Sequence, residues 1–388
     1  LPTVENGGVS KDLTSITWTL TKGIKWSDGS DFTADDVVFT ADYCMNPDGG
    51  CQQLTRFADV EKVEALDKHT VKVTFSKPKP FPYGPFVGAE SPIIQKAQFQ
   101  NCVGAKAPEC TKENFGPHGT GPYKVTEFRA NDVITMEMNP HYRDSSKPHF
   151  STLTFKGGGD AASAARSVLE TGEFDYAWNL QVESEVLDQM AKAGKGTIVA
   201  AFGTAVERLM VNLTNPDSAL GDKRSTVEGG PHPFLTDASV RRALSLAIDR
   251  QTLVDAGYGA TGRPTCNVIP APAAIASTAN DECLTQNVAL ANKLLDDAGW
   301  KKGGDGIRAK NGVKLSILYQ TSTNSVRQGT QALIKQFWSQ IGVETELRNI
   351  DAAVFFGGDQ SSPDTFQKFY ADIEMYTNLF NGTDPEAY

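Results

Sequence analysis

Three groups of residues in this sequence have the types and spacing that chemistry needs. The first is a glycine run, Gly157-Gly158-Gly159-Asp160, that opens a helical pattern from about Ala161 to Thr171. With Leu153–Phe155 and Phe174–Trp178 reading as strands on either side, it makes a strand–helix–strand unit with GxGxxA at Gly157, Gly159 and Ala162. Such a loop can lay a phosphate on a helix N-terminus. A dinucleotide site also wants an acid at the end of the second strand, and this strand ends in Trp178-Asn179, with Asp175 near its start. A nucleotide-dependent enzyme using the Gly157–Gly159 loop therefore stands as the alternative reading. The second group is Asp28, Asp31, Asp35 and Asp36. Their spacing does not fit a calcium loop, and carboxylates at a helix start complement its dipole. The third group is six cysteines in three local couples, Cys44/Cys51, Cys102/Cys110 and Cys266/Cys283. None has CxxC spacing and no histidine cluster stands beside them. Short bridges in Gly-, Pro-, Asn- and Asp-rich loops are the expected state, with free thiols in a cytosolic enzyme as the alternative.

Other catalytic signatures are scarce. GxSxG, HExxH and the Walker lysine loop are absent. His69, His118, His141, His149 and His232 are scattered, mostly in polar loops, and read as surface residues. No catalytic residue, metal site or cofactor is expected.

The elements that would position a site are legible from periodicity. Ile16–Leu20 alternates like a strand, Lys22-Gly23 turns it into a short strand at Ile24–Trp26, and Thr33 with Asp36 has capping-box spacing at the start of a helix. Val71–Phe75 reads as a strand, 77–92 as irregular, and Tyr123–Phe128 with Val133–Met138 as a hairpin. After the glycine run, Glu207–Leu213 is an apolar strand. Helices follow from Asp237 or Ser239, over Val288–Ala298 before Gly299, and over Val326–Ile341 before Gly342. Leu315–Tyr319, Val343–Leu347 and Ile373–Tyr376 read as strands, so the second half is an α/β lobe.

Open α/β sheets take ligands at the carboxyl ends of their strands. Those ends carry aromatics beside neutral polar groups: Trp178-Asn179, Phe202-Gly203-Thr204, Tyr319-Gln320-Thr321 and Tyr376-Thr377-Asn378. Aromatics supply contact area at little entropic cost, and amides and hydroxyls orient a ligand. Each aromatic could equally be a core residue beside a loop.

Composition excludes several classes. The chain has 388 residues, enough for two or three domains, and its 37 Lys+Arg against 47 Asp+Glu leave a net charge of −10. Without a basic surplus there are no counterions to release on a nucleic acid, so no nucleic-acid partner is expected. No apolar run reaches the ~18 residues of a membrane span. LPTVENGGVS lacks a basic and an apolar leader region, which fits a mature or trimmed secreted chain.

Four segments together resemble the bacterial extracellular solute-binding proteins of family 5, the peptide-, nickel- and oligopeptide-binding components of ABC transporters. They are WTLTKGIKWSDGSDFTADDVVFT (18–40), GTGPYKVTEFRANDVITMEMNPHY (119–142), PFLTDASVRRALSLAIDRQTLVDAGYGATGRP (233–264) and LLDDAGW (294–300). The resemblance implies a type II periplasmic-binding-protein fold: two α/β lobes around a ligand cleft, with an extra subdomain in the first. Residues 1–16 and 116–210 would form the first lobe, 17–115 the inserted subdomain, and 211–388 the second lobe. It further implies no catalysis, a periplasmic or extracellular location with or without a lipid anchor outside this sequence, a membrane permease as partner, and a monomer. Members normally extend beyond both ends of this sequence, so it resembles a fragment of the family's full length. The expected ligand residues are Trp178, Asn179, Gly203, Thr204, Tyr319, Gln320, Tyr376, Asn378 and Asp384. Peptide-binding members resemble one another in placing an Asp just after the strand matching Ile373–Tyr376, where it holds the peptide's amino terminus. Here Thr377, Asn378 and Leu379 follow, and the first carboxylate is Asp384. The resemblance therefore implies a ligand held by stacking and neutral hydrogen bonds, sugar-like or blocked ahead of a free peptide, unless Asp384 takes the anchoring role.

Overall fold

The computed structural model describes residues 1–49, 51, 53–88, 91–357 and 362–380. The chain divides into two compact units, Leu1–Gly158 and the remainder from Gly159 onward.

In the first unit, β1 (Ser15–Thr19), β2 (Val60–Asp67) and β3 (Thr70–Phe75) form an antiparallel sheet in the order β1-β3-β2. Strict alternation in β3 buries Val71, Val73 and Phe75, which meet Val37 and Ala41 of helix α1 (Ala34–Met45). The capping box at Thr33 and Asp36 forms as the spacing predicts. Asp36 also accepts from Trp26 Nε1 and the Lys96 amide, so the aspartates here are structural. β2 has no clear alternation, and its pairing with β3 carries two register shifts; the partner strand, not its own pattern, makes it a strand. Ile24–Trp26, expected as a strand, contributes only the single bridge Lys25↔Asp31.

β4 (Tyr123–Arg129), β5 (Val133–Met138) and β6 (Thr152–Lys156) form an antiparallel meander. This overturns the strand–helix–strand reading of the glycine run. β6 ends the meander, and residues 174–178 form no strand beside it. Gly158, at φ +75°, is glycine for another reason: a Cβ there would lie 2.0 Å from the carbonyl oxygen of Asn131 in the β4–β5 turn. The next helix, α2 (Ala161–Leu169), is capped by the carboxylate of Asp160, which accepts from the Ser163 amide at 2.7 Å. That bond holds Asp160 below the usual carboxylate range. A negative charge thus sits where a phosphate would have to.

The second unit is built on a four-stranded sheet of β7 (Ala205–Val211), β8 (Ser316–Ser322), β9 (Glu344–Ile350) and β10 (Ile373–Leu379), in the order β9-β8-β10-β7. β8 runs parallel to β9 and β10, while β7 closes the edge antiparallel to β10. Four helices supply its core: α3 (Ala238–Leu246), α4 (Arg250–Gly257), α5 (Val288–Asp297) and α6 (Ser325–Gln340). Leu244, Leu295, Ile334 and Trp338 pack onto Ile317, Tyr319, Ile373 and Met375. Gly299 and Gly342 end α5 and α6 in the left-handed conformation, as the sequence predicts. His232, expected at the surface, is buried: its Nε2 bonds Asp372 at 2.8 Å and its Nδ1 accepts from the amides of Phe234 and Leu235. A loop histidine with its polar atoms fully paired is cheap to bury.

The three cysteine couples lie at bonding distance in the expected pairing, Cys44–Cys51, Cys102–Cys110 and Cys266–Cys283, with Cα separations of 5.0, 5.9 and 6.0 Å. Among the described residues no helix is long and apolar enough to cross a membrane.

Candidate functional site

The second unit holds a cavity of about 610 Å³ against the face of the sheet that carries Glu207, Leu209 and Val211 of β7 and Ile373, Met375 and Thr377 of β10. Helices α3, α4 and α6 wall it with Leu244, Leu253, Ile334 and Trp338, and the α3–α4 link adds Ile248. Segments 179–182 and 201–205, and the loop 261–270 with the Cys266–Cys283 bridge, complete the wall. One part of the lining is therefore apolar. The other is polar and lies at the carboxyl ends of β8 and β10, where an open α/β sheet presents its ligand residues.

Glu207 organises that polar part. Its Oε1 and Oε2 each accept from the Arg327 guanidinium at 3.2 Å. Oε2 also accepts from Thr377 Oγ1 and Gln181 Nε2, both at 2.7 Å, and lies 3.5 Å from the Tyr258 hydroxyl. Burial, and next the Glu207 charge, push the Tyr258 hydroxyl well above the ordinary phenol value, so it stays a neutral donor. Arg327 sits in the first turn of α6, the end of a helix least suited to a cation, and Glu207 offsets that. The cap residue Asn324 fixes the turn, accepting from the Arg327 amide at 3.1 Å and donating to the Gln181 carbonyl at 3.2 Å. Oε2 is crowded by several donors and Oε1 takes the guanidinium, so a ligand's ammonium group would have to compete for a charge that Arg327 already pairs.

The opposite face of the same sheet carries a different pair. Gln320 of β8 and Glu374 of β10 are adjacent in register and buried, with Gln320 Nε2 donating to Glu374 Oε1 at 2.5 Å. Among the described residues Glu374 Oε2 and Gln320 Oε1 have no hydrogen-bond partner. Burial raises the Glu374 carboxyl from 4.5 to about 8, so it holds its proton at neutral pH.

The expected ligand residues are distributed over these places. Asn179, at φ +56°, and Gly203 line the cavity. Trp178 and Thr204 flank it in sequence, and Trp178 is 70% exposed. Tyr319 is fully buried in the core, against Trp338 with its hydroxyl donating to Met375 Sδ at 2.9 Å. Gln320, Tyr376 and Asn378 belong to the opposite face, where Tyr376 packs on Phe355 and Phe366. Asp384 lies outside the described residues. Gln181, Glu207, Tyr258 and Arg327 were not expected. Strand parity could have shown one point: on β10 it is Thr377, not its neighbours Tyr376 and Asn378, that shares a face with Glu207.

The unit thus has the architecture of a small-molecule binding domain: an open α/β sheet with a largely apolar cavity and convergent polar groups at its strand ends. The chain belongs to the bacterial extracellular solute-binding proteins, family 5, whose profile matches residues 4–388. It is similar to the glutathione-binding protein of Salmonella typhimurium, 26% identical over 346 residues that cover 89% of this chain and 60% of that protein. The chain therefore spans about 60% of the length of that curated relative. Among solved structures it is similar to lactococcal OppA complexed with an endogenous peptide, with a TM-score of 0.75 and 21% identity over 95% of this chain and 71% of that one. It is equally similar to AgaA of A. tumefaciens in complex with agropinic acid, at TM-score 0.75 and 21% identity over 97% and 67%. These likenesses show the fold, that of the type II periplasmic binding proteins.

Proposed function

We propose that this chain is the solute-binding part of an ABC importer, working outside the cytoplasmic membrane and handing a small organic solute, an oligopeptide, oligosaccharide or related molecule, to a permease. Residues 1–16 and 116–210 form its first lobe in this reading, 17–115 the inserted subdomain and 211–388 the second lobe. Family membership supports the class, and three bridges in short loops favour an oxidising compartment. The observation that carries the ligand reading is that Glu207 is already ion-paired with Arg327. A cavity of this size has contact surface in abundance and hydrogen-bonding groups such as Asn179, but its one lining carboxylate among the described residues is already engaged. The solute is held without an ammonium anchor, by stacking and hydrogen bonds. Trp178, Asn179, Gly203 and Thr204 remain the proposed contacts from the sequence, and Gln181 and Thr377 join them.

Mass spectrometry of the natively purified protein tests this, followed by titration with glutathione, tetra-alanine and maltotriose. A bound organic solute, or a rise in Tm with one of these probes, is expected. Asp384→Asn is expected to change affinity by less than tenfold. Titration with ATP or NAD is expected to give no heat. Micromolar nucleotide binding abolished by Gly159→Trp would overturn the reading.

A further inference from the structure

The charges around the cavity are lopsided. Its lining includes Arg241, Arg250 and Arg263 on the helical side, against the single carboxylate of Glu207 among the described residues. Glu207 is neutralised by Arg327. Arg241 spends its guanidinium on the carbonyl of Leu235, and Arg250 on the carbonyls of Ser245 and Cys283 and the Ser245 hydroxyl. None of the three has a carboxylate within ion-pair distance among the described residues. Two cations are therefore fixed in the wall with only dipoles around them, and their positive potential is not cancelled.

Arg263 differs from the other two. It is exposed, it donates no hydrogen bond to protein among the described residues, and its guanidinium lies over the ring of Phe202 at 4.8 Å. The stack orients the planar fork while leaving its N–H groups free. This is the arrangement in which an arginine takes a carboxylate in two parallel hydrogen bonds. From these observations we infer that the solute carries a carboxylate, which Arg263 receives at the exposed side of the cavity beside Phe202, with Arg241 and Arg250 supplying the positive field. The inference rests on the solute-binding reading and sharpens it. The carboxylate of Glu207 is already ion-paired with Arg327, whereas Arg263 is a prepared donor for an acid, so an N-blocked peptide acid or a sugar acid fits better than a neutral sugar. It adds one charged contact to the neutral set expected from the sequence.

Two matched probe pairs test it by calorimetry on the whole chain. N-acetyl-tetra-alanine is compared with its C-terminal amide, and trigalacturonate with maltotriose. The acid of at least one pair is expected to bind tenfold or more tightly than its neutral partner, and the pair that responds tells a peptide acid from a sugar acid. Raising salt from about 50 to about 500 mM should weaken only the acid. Arg263→Gln should erase the preference, and Arg263→Lys, which keeps charge without the fork, should retain part of it. Equal binding of acid and neutral forms, or a preference that survives Arg263→Gln, overturns the inference and leaves the solute-binding reading standing. Failure of all four probes, together with a neutral co-purifying solute, also overturns it; failure of all four with no solute at all overturns both.

Discussion

Two glutamates lie on opposite faces of one four-stranded sheet, on neighbouring strands, and they are held in opposite ways. Glu207 faces the cavity and is surrounded by donors: a guanidinium, a hydroxyl and an amide. Glu374 faces away, and its one donor among the described residues is Gln320. Taking a carboxylate out of water costs several kcal/mol unless partners replace the lost hydration. At Glu207 the partners are present, and the group sits in an ion pair. At Glu374 they are not, and the group keeps its proton instead. Burial alone therefore does not decide whether a carboxyl in this sheet is charged; the donors within reach do.

The largest test breaks the charged side. Arg327→Met should cost about 3–5 kcal/mol in urea unfolding, because it strands the Glu207 charge in a largely buried site. Adding Glu207→Gln should recover most of that loss. A cost below about 1 kcal/mol for the single variant would show that water reaches the pair.

The next test sharpens the neutral side. Folding raises the Glu374 carboxyl from 4.5 to about 8, so over that interval the unfolded chain releases the proton and the folded one keeps it. Its contribution is fully favourable below about pH 4.5 and is lost progressively as pH rises towards 8. Between about pH 5 and about pH 7.5 the loss should be about 3 kcal/mol. Glu374→Gln, which keeps an oxygen to accept from Gln320 Nε2 but cannot ionise, should flatten that part of the stability profile. Identical slopes in wild type and variant would mean that Glu374 is ionised like an exposed carboxyl.

Smaller effects separate the two faces further. Replacing Cys266 and Cys283 by serine opens a bridge of sequence separation 17 in the cavity wall and should cost about 3 kcal/mol or somewhat less. It should leave the Glu374 pH slope unchanged; a bridge whose loss alters that slope would couple the faces. Thr377→Val removes one hydroxyl from the Glu207 carboxylate at nearly constant volume. About 1.5 kcal/mol is expected, with Gln181 and Arg327 still in place. A neutral result would mean that the threonine is there for the ligand alone.

Local features of this chain could be read without a structure. Thr33 with Asp36, Gly299 and Gly342 mark helix ends because the chemistry of a cap depends on neighbours in sequence. The cysteine couples were legible because each pair is close in the chain, so few conformations separate the partners. The family could be recognised from long stretches such as 18–40 and 233–264.

The site was decided elsewhere. Gly157–Gly159 looked like a phosphate loop because the local pattern does not say which strand β6 pairs with; the meander and the carbonyl of Asn131 do. Tyr319 and Tyr376 looked alike as aromatics near strand ends, yet parity sends one into the core and the other to the opposite face. Glu207 meets Arg327 across 120 residues and Thr377 across 170. A sequence lists its charged side chains but not their distances, and electrostatic energies depend on distance and burial. Elements follow from contacts near in the chain; which carboxyl is paired, which is protonated and which arginine is free follow from contacts that only the folded sheet creates.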